Sequence, residues 1–121
     1  MNWTFYVVVI VVMVAVLLMR RGRQLTVQSA QTLLREGATV VDVRTAGEFA
    51  SGHLPKAINI PLDSIEKKLP ARISDRSQTI LLHCQSGMRS GMAVKKLRAL
   101  GYNNVHNIGG YGRAAKVVGG E

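Results

Sequence analysis

Residue types and spacing combine to suggest covalent chemistry in one stretch of this sequence, His83-Cys84-Gln85-Ser86-Gly87-Met88-Arg89-Ser90. The run before it, Thr79-Ile80-Leu81-Leu82-His83, is apolar and β-branched enough for a central strand. The run after it changes period: Ala93, Val94, Leu97 and Leu100 share one helical face over Met88 to Leu100, while Lys95, Lys96 and Arg98 lie elsewhere. Between them the chain must turn sharply, and Gly87 tolerates the positive φ that such a turn needs. Amides from Gln85 to Ser90 can then point inward, and the free N–H groups of the next helix add positive potential. Such a cradle favours a thiolate on Cys84, the nucleophilic form of cysteine. Arg89 adds a permanent charge and a forked donor set suited to an oxyanion. The competing reading makes Cys84 a small buried hydrophobe. Its polar neighbours Gln85, Ser86, Arg89 and Ser90 weigh against that, because burying them unpaired is costly.

The remaining elements must place this loop. Ser29 is positioned to cap a helix over Ala30 to Arg35, which Gly37 ends. Thr39 to Val43 and Ala57 to Ile60 are short β-rich runs, with one helical turn, Gly47 to Ser51, between them. Leu62, Ile65 and Leu69 give a helix an apolar face before Pro70, and Asn104 to Ile108 is a last strand before Gly109-Gly110 and a terminal helix. Strands alternating with helices predict an α/β fold, a mostly parallel central sheet with helices on both faces. In such sheets ligands gather beyond the C-terminal strand ends. Asp42-Val43-Arg44, Cys84 to Arg89 and Gly109-Gly110 all fall there.

Val41-Asp42-Val43-Arg44, Glu48-Phe49, Gly52-His53-Leu54-Pro55, Ala57-Ile58-Asn59-Ile60-Pro61, Cys84 to Ser90 and Gly109-Gly110 follow one another in order between Leu25 and Gly112. Together they resemble a single-domain rhodanese. The resemblance implies a rhodanese-like fold and a sulfurtransferase activity in which Cys84 carries a persulfide. It also implies that the amides of Gln85, Ser86, Gly87, Met88, Arg89 and Ser90 cradle that persulfide, with Arg89 assisting an anionic substrate. Asp42 and Arg44 would support the site by hydrogen bonding, and His53 would hold the preceding segment. Two positions depart from the family: Lys56 stands where a glycine is common, and about Ala114 the usual tryptophan is missing, which bears on packing beside the site.

The implied reaction needs neither metal nor cofactor. Thiosulfate or a persulfide would be the small anionic donor, and cyanide, a thiol or a protein the acceptor. Two rival functions remain. One is a membrane-bound sulfur relay or interaction module with little turnover of its own. The other is a cysteine-dependent phosphatase or arsenate reductase, whose loop holds five residues between cysteine and arginine where this one holds four. None of His53, His83 and His106 sits in a motif that makes it a base. His83 should point to the opposite face from Cys84.

Before this domain, Phe5 to Met19 is an unbroken run of 15 apolar or aromatic residues. Residues 1–23 are therefore expected to form a transmembrane anchor with a basic stop, in contact with lipid over residues 3–19, and residues 24–121 the domain. The run is too long for a usual strand. It also lacks the leading positive charge of a cleaved signal. Arg20, Arg21 and Arg23 predict a single pass through the inner membrane with the domain cytoplasmic, and a lone cysteine suits a reducing compartment. The net charge of +9 comes from residues after the run. Scattered basic residues and only 5% aromatics give no nucleic-acid reading surface.

Overall fold

The computed structural model describes residues 2–21 and 25–120, the side chains of Arg20 and Arg21 excepted. The expected basic stop at Arg23 and the start of the connector, Gly22 to Gln24, lie outside the described residues. Helix α1 runs Trp3–Arg21 despite its many valines, and its large apolar side chains are exposed, from 39% at Val7 to 79% at Trp3. Among the described residues no helix is long and apolar enough to cross a membrane. The transmembrane span expected over residues 1–23 is thus unsupported. The uncharged part of α1, Trp3 to Met19, makes about 25 Å of helix, the short end of what a hydrocarbon layer of roughly 30 Å requires.

The domain follows the order α2 Val27–Arg35, β1 Thr39–Asp42, α3 Ala46–Ala50, β2 Ile58–Asn59, a 3-10 turn Leu62–Ser64, α4 Ile65–Arg72, β3 Ile80–His83, α5 Met88–Ala99, β4 Val105–Gly109 and α6 Tyr111–Gly119. The four strands are all parallel in the order β2-β1-β3-β4. Alternation along β3 divides the core between the two faces. Ile80 and Leu82 pack with Ile65, Leu69, Ala93 and Leu97 from α4 and α5, while Leu81 packs with Ala30, Ala114 and Val117 from α2 and α6. Each fully buried Val, Leu or Ile side chain among them contributes about 1.5–3 kcal/mol by leaving water.

Three local expectations are corrected. The cap of α2 is Thr26, whose side chain accepts from the Ser29 amide, so Ser29 lies inside the helix rather than before it. Pro70 sits within α4, and the chain over Leu62–Ser64 is a 3-10 turn, so this helix starts later and runs further, to Arg72, than a stop before Pro70 implies. Ala114 is fully buried, but in the α2/α6 cluster, across the sheet from the cluster that holds Cys84. The absent tryptophan therefore leaves no gap beside the thiol. Lys56 adopts φ 63°, a left-handed conformation that explains why glycine suits this position.

Candidate active site

Register places the chemistry. Asp42 pairs with Asn59 on one side and His83 on the other, and His83 pairs with Gly109, so the four strands end together. The β3/β4 pairing shifts between Leu82 and His83, which turns Ile108 into the core. At the shift, Gly109 takes φ 96° and its amide donates to Asn107 Oδ1 at 2.9 Å.

Cys84 leaves β3 on the α4/α5 face and is fully buried, beneath a loop in which Gln85, Ser86 and Met88 are exposed. Gly87 caps α5 at φ 93°, and its amide donates to Cys84 Sγ at 3.0 Å. Ser90 Oγ lies 3.5 Å from the same sulfur, 2.8 Å from Asn107 Oδ1 and 3.1 Å from Gly87 O. Its single proton is therefore shared among three acceptors. Burial pushes the Cys84 thiol up, but the Ser90 hydroxyl and the amides of Ser90, Ser86 and Gly87 outweigh it and hold the thiol below its ordinary value. The net direction is towards thiolate. Replacing Ser90 with alanine should move the pH profile of Cys84 alkylation to higher pH, because it removes a donor to the charged form. An unchanged profile in folded protein would assign the lowered value to the amides alone.

The loop is pinned from behind by Asn107 and Tyr111, which belong to no motif, and by Gly110, which does. Asn107 Nδ2 donates to Gly87 O at 2.9 Å, and Tyr111 N–H donates to Gln85 O at 3.2 Å. A Cβ on Gly110 would stand 2.7 Å from Gln85 O, so only glycine lets β4 approach this closely. Asn107 carried no motif signal. A polar residue in the middle of an otherwise β-rich run, just before Gly109-Gly110, was the available clue.

Asp42 and Arg44 form a buried pair below the loop. Arg44 donates through Nε to both Asp42 oxygens at 3.0 Å and through Nη2 to Oδ2 at 2.8 Å, and its amide donates to Oδ1 at 2.9 Å. Hydrogen bonding to Asp42 raises the Arg44 pKa further, and its guanidinium lies 4.8 Å from the Tyr111 ring centre. Nη2 also donates to Gly52 O at 2.8 Å, tying down the end of α3. His83, fully buried on the opposite face from Cys84, is pushed down by burial more than Asp42 pulls it up and stays neutral. Its Nδ1 lies 3.3 Å from Cys84 O and its Nε2, without a hydrogen bond, 3.8 Å from Asp42 Oδ2. His53 stacks on Phe49 with ring centres 3.9 Å apart, and its Nδ1 lies 2.9 Å from Phe49 O.

Arg89 is not free. Its two terminal nitrogens donate to Glu48, Nη1 to Oε1 at 2.7 Å and Nη2 to Oε2 at 3.0 Å. Thr45 caps α3 in a capping box with the same Glu48, whose carboxyl is lowered from 4.5 to about 2, chiefly by Arg89. Glu48 had appeared only as part of a family motif. The Thr45-x-x-Glu48 spacing, a capping-box signature, was the unread signal that this carboxylate has a fixed position.

The fold has known counterparts. A thiosulfate sulfurtransferase of Escherichia coli, PspE, is 34% identical over 70 residues, which cover 58% of this chain and 67% of that protein. Thiosulfate sulfurtransferase 18 of Arabidopsis thaliana is 35% identical over 96 residues, covering 69% of this chain and 71% of its own. The solved human single-domain sulfurtransferase TSTD1 superposes with a TM-score of 0.66 at 28% identity, over 77% of this chain and 95% of that one. The rhodanese-like domain family matches residues 26–113, from the cap of α2 into α6, and the chain belongs to that family.

Proposed function

We propose that this domain transfers sulfane sulfur through a persulfide on Cys84. The observation that carries the reading is a thiol at the end of β3 whose sulfur receives the Gly87 amide at 3.0 Å and which is held towards its charged form. Relatives named for thiosulfate sulfur transfer support it. In the first step the Cys84 thiolate attacks the outer sulfur of thiosulfate. A sulfur–sulfur bond to the enzyme forms, the donor's own sulfur–sulfur bond breaks, and sulfite leaves with that bond's electron pair. Cyanide or an acceptor thiolate then attacks the outer sulfur, and the Cys84 thiolate departs. Charge that stays near one place throughout suits a fixed set of amide donors. Phosphoryl or arsenate chemistry has less support, since four residues separate Cys84 from Arg89 where the phosphatase loop holds five. Treating purified protein with thiosulfate should add about 32 Da at Cys84, and cyanide should remove it as thiocyanate. No adduct with any sulfane donor would end the reading.

A second feature concerns location. Helix α1 exposes apolar side chains along its length, including Val8, Val11, Val12 and Leu18. A helix apolar on all sides does not rest in water. The favoured reading is attachment to lipid through residues 3–19, with the domain on the cytoplasmic side where the following arginines would be retained. The full chain should float with phospholipid vesicles in a density gradient, and Val9→Lys with Val12→Lys should release it. Vesicle binding that survives both lysines would move the attachment to the basic domain surface.

A further inference from the structure

The Glu48–Arg89 pair bears on which donors the site accepts, an inference that rests on the sulfur-transfer reading. An arginine at this position, unpaired, would favour the most highly charged anion. Here the guanidinium is matched by a carboxylate at 2.7 and 3.0 Å, and both side chains are one-third exposed, so they face solvent beside the loop that covers Cys84. The carboxylate cannot swing away freely. Thr45 donates to Oε1 through its amide and its hydroxyl, each at 3.1 Å, and this cap fixes the first turn of α3. Lowered to about 2, Glu48 is ionised at any working pH.

We infer that Glu48 is a positioning residue that sets donor charge: it cancels the field of Arg89 while keeping its fork in place, so the site favours singly charged sulfane donors over doubly charged thiosulfate. The bidentate contact uses one N–H from each terminal nitrogen, leaving one on each, and Nε–H, for a donor oxygen or sulfur. Arg89 thus retains hydrogen-bonding capacity without net attraction for a second negative charge. Two small donors separate these effects. Thiosulfate carries two charges and leaves as sulfite. Methanethiosulfonate carries one, presents the same kind of outer sulfur, and leaves as methanesulfinate when the Cys84 thiolate takes that sulfur. In both, one sulfur–sulfur bond forms as another breaks, and no oxidant or reductant enters.

Glu48→Gln is the decisive variant, because glutamine also completes a capping box and the fold is kept while the charge goes. The readout is the ratio of kcat/KM for thiosulfate to kcat/KM for methanethiosulfonate, in the full chain. One unit charge acting across roughly 6 Å of watery surroundings changes this ratio about threefold. E48Q should therefore raise it about threefold at low salt, and the increase should shrink at high ionic strength. A merely structural role would lower both rates together and leave the ratio alone. Should E48Q fail to fold, Arg89→Gln carries the test in the other direction: the carboxylate then stands unopposed and the ratio must fall. A ratio unchanged in the folded variant overturns the inference even when Cys84 still gains sulfur. Wild-type protein that gains no sulfur from either donor overturns the sulfur-transfer reading itself, and the inference with it.

Discussion

Cys84→Ser should reduce sulfur transfer to the uncatalysed background and abolish the mass increase of about 32 Da after treatment with any sulfane donor. The substitution changes one atom in a site whose donors can still be satisfied. A serine oxygen can accept the Gly87 amide that now reaches Sγ at 3.0 Å, so the turn into α5 should persist. What is lost is ionisation. A hydroxyl stays protonated where the loop donors suffice to ionise a thiol, and His83, its neighbour in sequence, belongs to the opposite face and cannot take its proton. The expected outcome is a folded protein with an unchanged circular dichroism spectrum and no adduct by intact-mass measurement. An adduct that persists would place the sulfur on another atom. Full burial of Cys84 adds a kinetic expectation to this result: donors reach the sulfur only when the Gln85–Met88 loop opens, so loading should be slower than alkylation of an open thiolate.

The strand–loop–helix around Cys84 was legible because each level pointed the same way. The apolar β-branched run, Gly87 and the helical period after Met88 agree on where the chain turns, and the turn dictates that amides converge. Agreement across levels is what makes a local reading secure. The Asp42–Arg44 support was legible only through the family motif, since neither residue type nor spacing announces a buried pair. Three features escaped for physical reasons. Glu48 meets Arg89 across 41 positions of sequence, a contact created by tertiary packing and invisible to local periodicity. Asn107 acts through a register shift in β4, which depends on how two strands pair rather than on either strand alone. The surroundings of Ala114 lie across the sheet from the thiol, and the sidedness of a terminal helix follows from its docking rather than from its own sequence. The N-terminal apolar run forms the expected helix, while a membrane span is unsupported among the described residues.

Asp42→Ala should cost about 3–5 kcal/mol of stability by urea unfolding, the largest loss expected for any single polar substitution in the domain, because it leaves the Arg44 charge buried without its partner. Asp42 and Arg44 are 0% and 5% exposed, and the guanidinium meets the carboxylate through two nitrogens. Removing both members should cost less than removing one, so Asp42→Leu combined with Arg44→Leu is expected to recover part of the loss. A loss below about 1 kcal/mol for Asp42→Ala would mean that water reaches the pair as it does at a surface. The consequence for chemistry follows from connectivity. Asp42 holds Arg44, Arg44 holds Gly52 O just beyond α3, and α3 presents Glu48 to Arg89. Protein that remains folded after Asp42→Asn should therefore use donors poorly even though no atom touching Cys84 has changed, with the defect appearing in kcat/KM while alkylation of the thiol proceeds normally. The cysteine loop supplies the negative sulfur; the buried pair keeps the surface beside it in place.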